Sequence, residues 1–141
     1  MIRVTADTHI IVSGLTFPEG SAHELLELAR TGAIELAVSD AIVDEVADVL
    51  VRTFNWPDSD IQELRRQFGL FTLHVAPVEA IHAVIGDPDD NAILECAVAA
   101  ASTYIVSGDR HLLQLGTFRS VPVLKVSAFL EVFQQEKRRA L

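Results

Sequence analysis

The sequence predicts an α/β fold with a mainly parallel central sheet sandwiched by helices. Two observations predict it. Short segments with strand-like alternation recur along the chain with amphipathic helical segments between them, the order that yields parallel strands joined by right-handed crossovers. Half of the residues are apolar and only 6% are aromatic, so a mostly aliphatic core is available to the sheet. The length of 141 residues fits one domain, 1–141, and no repeat, linker or low-complexity segment divides it.

Ile2, Val4 and Ala6 alternate with Arg3 and Thr5, a strand that ends at Asp7. Ser21 followed by Glu24 has the form of a capping box, Leu25, Leu26 and Ala29 make an apolar stripe, and Gly32 follows as a C-terminal stop. Residues 34–38 read as the second strand. Ser39 then caps a helix carrying Ile42, Val46, Val49 and Leu50 on one face, and a further helix covers 58–68, before Gly69. Leu73 and Val75 mark a short strand bounded by Pro77. Asp87-Pro88 supplies the cap and first residue of a helix striped with Ile93, Leu94, Ala97, Val98 and Ala101. Strands follow at 104–107 and 121–125, and Ser127 opens a closing amphipathic helix with Phe129, Leu130 and Phe133.

Composition removes several function classes. No apolar run approaches the roughly 20 residues of a membrane span, and the chain starts on a strand, which predicts a soluble cytoplasmic protein with no membrane partner. Cys96 is the only cysteine, so an internal disulfide framework and Cys-based zinc sites are excluded; it reads as a small residue on a helix. His9, His23, His74, His82 and His111 have no tight ligand spacing. Oxygen ligands remain, and these suit Mg²⁺ or Mn²⁺.

The carboxylates carry the chemical signal. In a parallel sheet Asp7 and Asp109 fall at the carboxyl edge, where ligand crevices form. Asp90 stands three, four and seven residues before Ile93, Leu94 and Ala97, so it projects from the buried face of its helix. That is a costly place for an unpaired charge. Capping accounts for Asp87 and the helix dipole for Asp89, but neither accounts for an inward Asp90. Asp7 reads equally as a turn or helix cap, Glu45 as a solvated residue at the edge of its stripe, and Gly108-Asp109 as ordinary turn chemistry. Their joint placement is what points to a cation site.

Val4-Thr5-Ala6-Asp7-Thr8, residues 39–45, Asp87-Pro88-Asp89-Asp90-Asn91 with Ile93-Leu94, and Val106-Ser107-Gly108-Asp109 with Leu112-Leu113 together resemble the successive signatures of PIN-domain nucleases. The likeness spans nearly the whole chain and is greatest to PIN proteins regarded as toxins of type II toxin–antitoxin systems, the VapC-like group. It implies a PIN-like three-layer fold and an acidic metal pocket of Asp7, Glu45, Asp90 and Asp109, with Ser107, Thr8 and His9 in support. His9 departs from the family's common Asn, and an imidazole differs from an amide in geometry and charge state.

The resemblance further implies a Mg²⁺- or Mn²⁺-dependent ribonuclease using one or two ions, an RNA substrate, an antitoxin partner and a homodimer. Clustered carboxylates neutralised by divalent ions suit phosphodiester hydrolysis. The formal charge of −9 argues against broad attraction to phosphate, so contact must rely on the metal and on local cations. Arg110 with His111 is the best placed candidate, beside Arg65-Arg66 and the Lys137-Arg138-Arg139 tail. Two rivals stand: a phospho-acceptor receiver domain, with which Lys125 is compatible but in which Asp90 has no role, and a PIN-fold binding protein without efficient catalysis, for which Trp56 and the C-terminal helix offer apolar surface.

Overall fold

Alternating strands and helices assemble, in the computed structural model, as a six-stranded sheet in the order β3-β2-β1-β4-β6-β5. The structure describes residues 1–84 and 87–140. In chain order the elements are β1 (Arg3–Ala6), α1 (Thr8–Thr16), α2 (Ser21–Arg30), β2 (Glu35–Val38), α3 (Asp40–Phe54), α4 (Asp58–Phe71), β3 (Thr72–His74), α5 (Pro88–Ala100), β4 (Tyr104–Val106), α6 (Arg110–Gln114), β5 (Thr117–Phe118), β6 (Val121–Leu124) and α7 (Val126–Arg139). Every pairing from β3 across to β6 is parallel, and only the β5–β6 hairpin is antiparallel. The mainly parallel α/β class is therefore the observed one.

Both faces of β1 are covered, as alternation requires of a central parallel strand. Thr5 points to α5, where its hydroxyl bonds Ser102 Oγ at 2.8 Å beside Cys96, while Val4 and Ala6 on the opposite face are fully buried. Cys96 is itself buried and its thiol is pushed up to about 11 by that burial, which fits a packing residue. One contiguous core runs through Ile11, Leu25, Leu36, Leu50, Leu94, Ile105 and Phe129.

A helix, α1, follows Asp7 directly and contains the β-branched Ile10, Ile11 and Val12. Three local readings need correction. Ser21 is no cap: the turn closed by Gly20 N–H on Phe17 O puts Gly20 in that position, and Ser21 is the first helical residue. The helix from Asp58 continues through Gly69 to Phe71, whose ring packs edge-on against Phe68 at 5.4 Å. Lys125 occupies the cap of α7 and Val126 opens it, so Ser127 does not. Asp87, Ser39 and Gly32 stand where expected; Gly32 has φ +84°, a conformation that only glycine adopts freely.

Strand order sets the site. Successive strands run outward from β1 through β2 to β3, and the chain then returns to β4 on the other side of β1. The carboxyl ends of β1 and β4 consequently flank the topological switch point, where α/β sheets open a crevice.

Candidate functional site

Asp7 leaves β1 and caps α1, its Oδ1 accepting the Ile10 N–H at 2.8 Å. Its Oδ2 accepts a short hydrogen bond from the Ser107 hydroxyl and a second from Gly108 N–H at 3.2 Å, both from the end of β4. Three of the roughly four lone-pair positions of a carboxylate are thus engaged. Ser107 Oγ also accepts from Asp109 N–H at 2.9 Å, so a single buried hydroxyl ties the first acidic residue to the last.

Asp109 caps α6 through Oδ1, which accepts from His111 N–H at 2.8 Å and Leu112 N–H at 3.3 Å. Asp87 caps α5 in the same manner, accepting from Asp89 and Asp90 N–H, each at 3.2 Å. In both caps one oxygen does the capping and the other is left over. Asp90 completes the group. One oxygen from each of Asp87, Asp90 and Asp109 lies within 4.8 Å of the others.

Asp90 is only 8% exposed and its Oδ2 has no hydrogen-bond partner among the described residues. Burial, and then the neighbouring charges of Asp109 and Asp87, push its carboxyl up to about 7. An inward carboxylate beside two others needs a proton or a cation between them. The all-oxygen donor set fits a hard divalent ion, Mg²⁺ or Mn²⁺, and the orphaned Asp90 oxygen is the ligand such an ion would satisfy.

Glu45 lies outside this trio on α3, half-buried, with Arg52 at 3.7 Å. Burial raises its carboxyl, Asp89 and Asp48 raise it further, and Arg52 and His9 act in the opposite sense. The field of His9 therefore reaches the same rim, from the first turn of α1. Thr8 is buried as the first residue of α1. Arg110 and His111 are exposed at the start of α6. Arg65 and Arg66 pair instead with Asp44 and Glu63, which reduces their use toward phosphate.

Three contributors are not singled out by the sequence. Capping alone accounts for Asp87 there, although its spacing of three from Asp90 on one helix is a usable signal. Asn91 and Glu95 hold the chain that leads to Asp87: Asn91 Oδ1 accepts from Val84 N–H at 2.9 Å, its Nδ2 donates to Val84 O at 2.8 Å, and Glu95 accepts from Ile81 N–H at 2.9 Å.

A mainly parallel α/β domain with a carboxylate trio at its switch point, the Asp90 member buried, defines a class of acidic-pocket proteins suited to divalent ions. The PIN domain family model matches residues 3–111, and the chain belongs to that family. A chain of the VapBC2 complex from Rickettsia felis, in a crystal structure bound to a DNA fragment from their promoter, is similar in fold with a TM-score of 0.59. The identity is 14%, and the match covers 86% of this chain and 97% of that chain. No curated protein matches.

Proposed function

We propose that this protein is a divalent-metal-dependent endoribonuclease acting as the toxin of a toxin–antitoxin pair, a single PIN-like domain over residues 1–141. The buried, unpartnered Asp90 oxygen among the Asp87 and Asp109 carboxylates carries the reading, together with family membership. RNA, in preference to DNA, is taken from the family resemblance. When bound, one or two Mg²⁺ or Mn²⁺ ions would lower the pKa of a water and stabilise the departing 3′-oxygen.

The chain's own residues supply the rest. Asp90, Asp109 and Asp87 offer the ligand oxygens, and Asp7 contributes its last lone-pair position from beneath. Ser107 orients Asp7 and fixes the backbone at Asp109. Glu45, its carboxyl raised by burial, orients the attacking water and takes its proton. His9 sets the charge at Glu45, Thr8 supports the first turn behind Asp7, and Arg110 with His111 binds the phosphate flanking the broken bond. Water oxygen joins phosphorus as the P–O3′ bond opens, leaving a 5′-phosphate and a 3′-hydroxyl.

The partner reading has its own support. A groove of about 520 Å³ between α1, α2 and α4 is lined by Leu15, Leu26, Trp56, Leu64, Phe68 and Phe71. It suits the apolar face of an antitoxin segment, by analogy with the VapBC2 assembly. Phe17 and Phe54 meet edge-on at 6.4 Å and stay 57% and 38% exposed, a surface we assign to a homodimer. Among the described residues no helix is long and apolar enough to cross a membrane, and we place the activity in the cytoplasm with its RNA.

The test is cleavage of mixed-sequence single-stranded RNA with Mn²⁺, Mg²⁺ or chelator, comparing the parent with Asp7→Asn and Asp90→Asn. Metal-dependent cleavage absent from both variants supports the reading. Cleavage that survives either substitution, or that ignores chelator, assigns the activity elsewhere.

A further inference from the structure

Residues 75–84, which follow β3, have no regular secondary structure, yet Ile81 and Val84 among them are buried. It is fixed from the side by α5. Asn91 spends both ends of its carboxamide on the Val84 backbone, accepting at 2.9 Å and donating at 2.8 Å, while Glu95, one turn further on, accepts from Ile81 N–H at 2.9 Å. Asn91 is 9% exposed, so an unsatisfied amide there would be costly. Two side chains on one helical face thus act as a rail for an otherwise irregular strand of backbone.

The rail lies next to the acidic trio. Asp87 follows Val84 by three peptide steps, at most about 11 Å of chain, so fixing Val84 bounds where Asp87 can stand. Asp87 has a second anchor, the cap it forms on Asp89 and Asp90 N–H. A cap alone leaves the approach of the chain open. The rail adds a restraint at Val84, three residues before that cap.

Resting on the reading of the trio as a divalent-metal site, we propose that Asn91 and Glu95 are positioning residues that set Asp87 as a metal-facing oxygen donor. They act through Asp87 and touch no metal themselves. Groups behind metal ligands typically change affinity about 10–100-fold when removed, and the lower figure suits a ligand that keeps its cap.

The experiment uses full-length protein and Mn²⁺ alone, measuring Mn²⁺ affinity by calorimetry and amide hydrogen exchange at residues 81–84. Asn91→Ala should speed exchange at Val84 and weaken Mn²⁺ about tenfold, leaving exchange in β1 and β4 unchanged. In an Asp87→Asn background the same substitution should cost no further affinity. Equal losses with and without Asp87, or faster exchange with unchanged affinity, overturn the proposal. If Asn91→Ala does not fold, Glu95→Ala carries the test, with Glu95→Gln restoring the acceptor for Ile81 and hence both readouts; failure of that rescue also counts against it. A parent that binds no Mn²⁺ defeats the metal reading itself, a result distinct from a parent that binds while Asn91→Ala binds equally well.

Discussion

Asp90 concentrates the residue-scale argument. Its ordinary carboxyl value is 3.8, and in the folded protein burial and the Asp109 and Asp87 charges push it up to about 7. The folded state therefore holds a proton that the unfolded chain has released, and this contribution to stability is full below 3.8 and is lost as pH rises toward 7. Metal binding has the opposite sign, because a ligand oxygen must first lose its proton. Mn²⁺ affinity should rise about tenfold per pH unit up to pH 7 and level off above it, read by calorimetry at fixed ionic strength. Asp90→Asn should bind Mn²⁺ weakly and without that slope. A parent affinity flat from pH 5.5 to 7.5 would show that Asp90 does not gate the site. The inward direction of Asp90 was legible from its spacing to Ile93, Leu94 and Ala97. The part of Asp87 was not, because its capping role gave a sufficient local account and hid the left-over oxygen.

At the scale of elements, legibility followed length and periodicity. The strand before Asp7, the Ser39 helix and the Asp87-Pro88 helix were readable because cap and stripe agreed. Helix α1 was not, because the β-branched Ile10, Ile11 and Val12 lower its helix propensity and tertiary packing supplies what propensity does not. Helix α6 and strand β5, five and two residues long, are too short for a period to show. What decides α1 is its contact with α2. A Cβ on Gly14 would stand 2.6 Å from Leu26 Cδ1 and 2.8 Å from Ala22 O, and the latter is backbone that cannot turn aside. Gly14→Ala gains up to about 1 kcal/mol in helix propensity. Overpacking costs about 1–3 kcal/mol, so the net effect should be a loss of stability in urea titration, and the loss caused by Gly14→Ala should be smaller when it is made in a Leu26→Ala background. Equal or greater stability in Gly14→Ala would mean that the two helices separate freely.

For the whole molecule, the strand order was the least legible feature and the one on which the site depends. Alternation fixes that strands are parallel and covered, but only packing decides that β4 returns beside β1, bringing Ser107 to Asp7 across the switch point. Charge completes the constraint. With a formal charge of −9 and with Arg3, Arg30, Arg52, Arg65, Arg66 and Arg119 each paired to a carboxylate, little positive surface is left for a polyanion. Arg110, next to Asp109 in the chain, has no carboxylate partner among the described residues, and neither has Lys125, which follows β6. RNA binding should therefore be local, with the metal and Arg110 neutralising about two phosphates. For single strands that gives a slope of log affinity against log salt of about −1.4. Equilibrium binding of a single-stranded oligoribonucleotide to the parent in Mn²⁺, at a temperature low enough that cleavage is negligible during the measurement, should show that shallow slope and lose most of its affinity to chelator. Arg110→Ala should flatten it by about 0.7. A slope steeper than about −4 would require a basic tract acting at a distance, and the Lys137-Arg138-Arg139 end of α7 would then be the place to look.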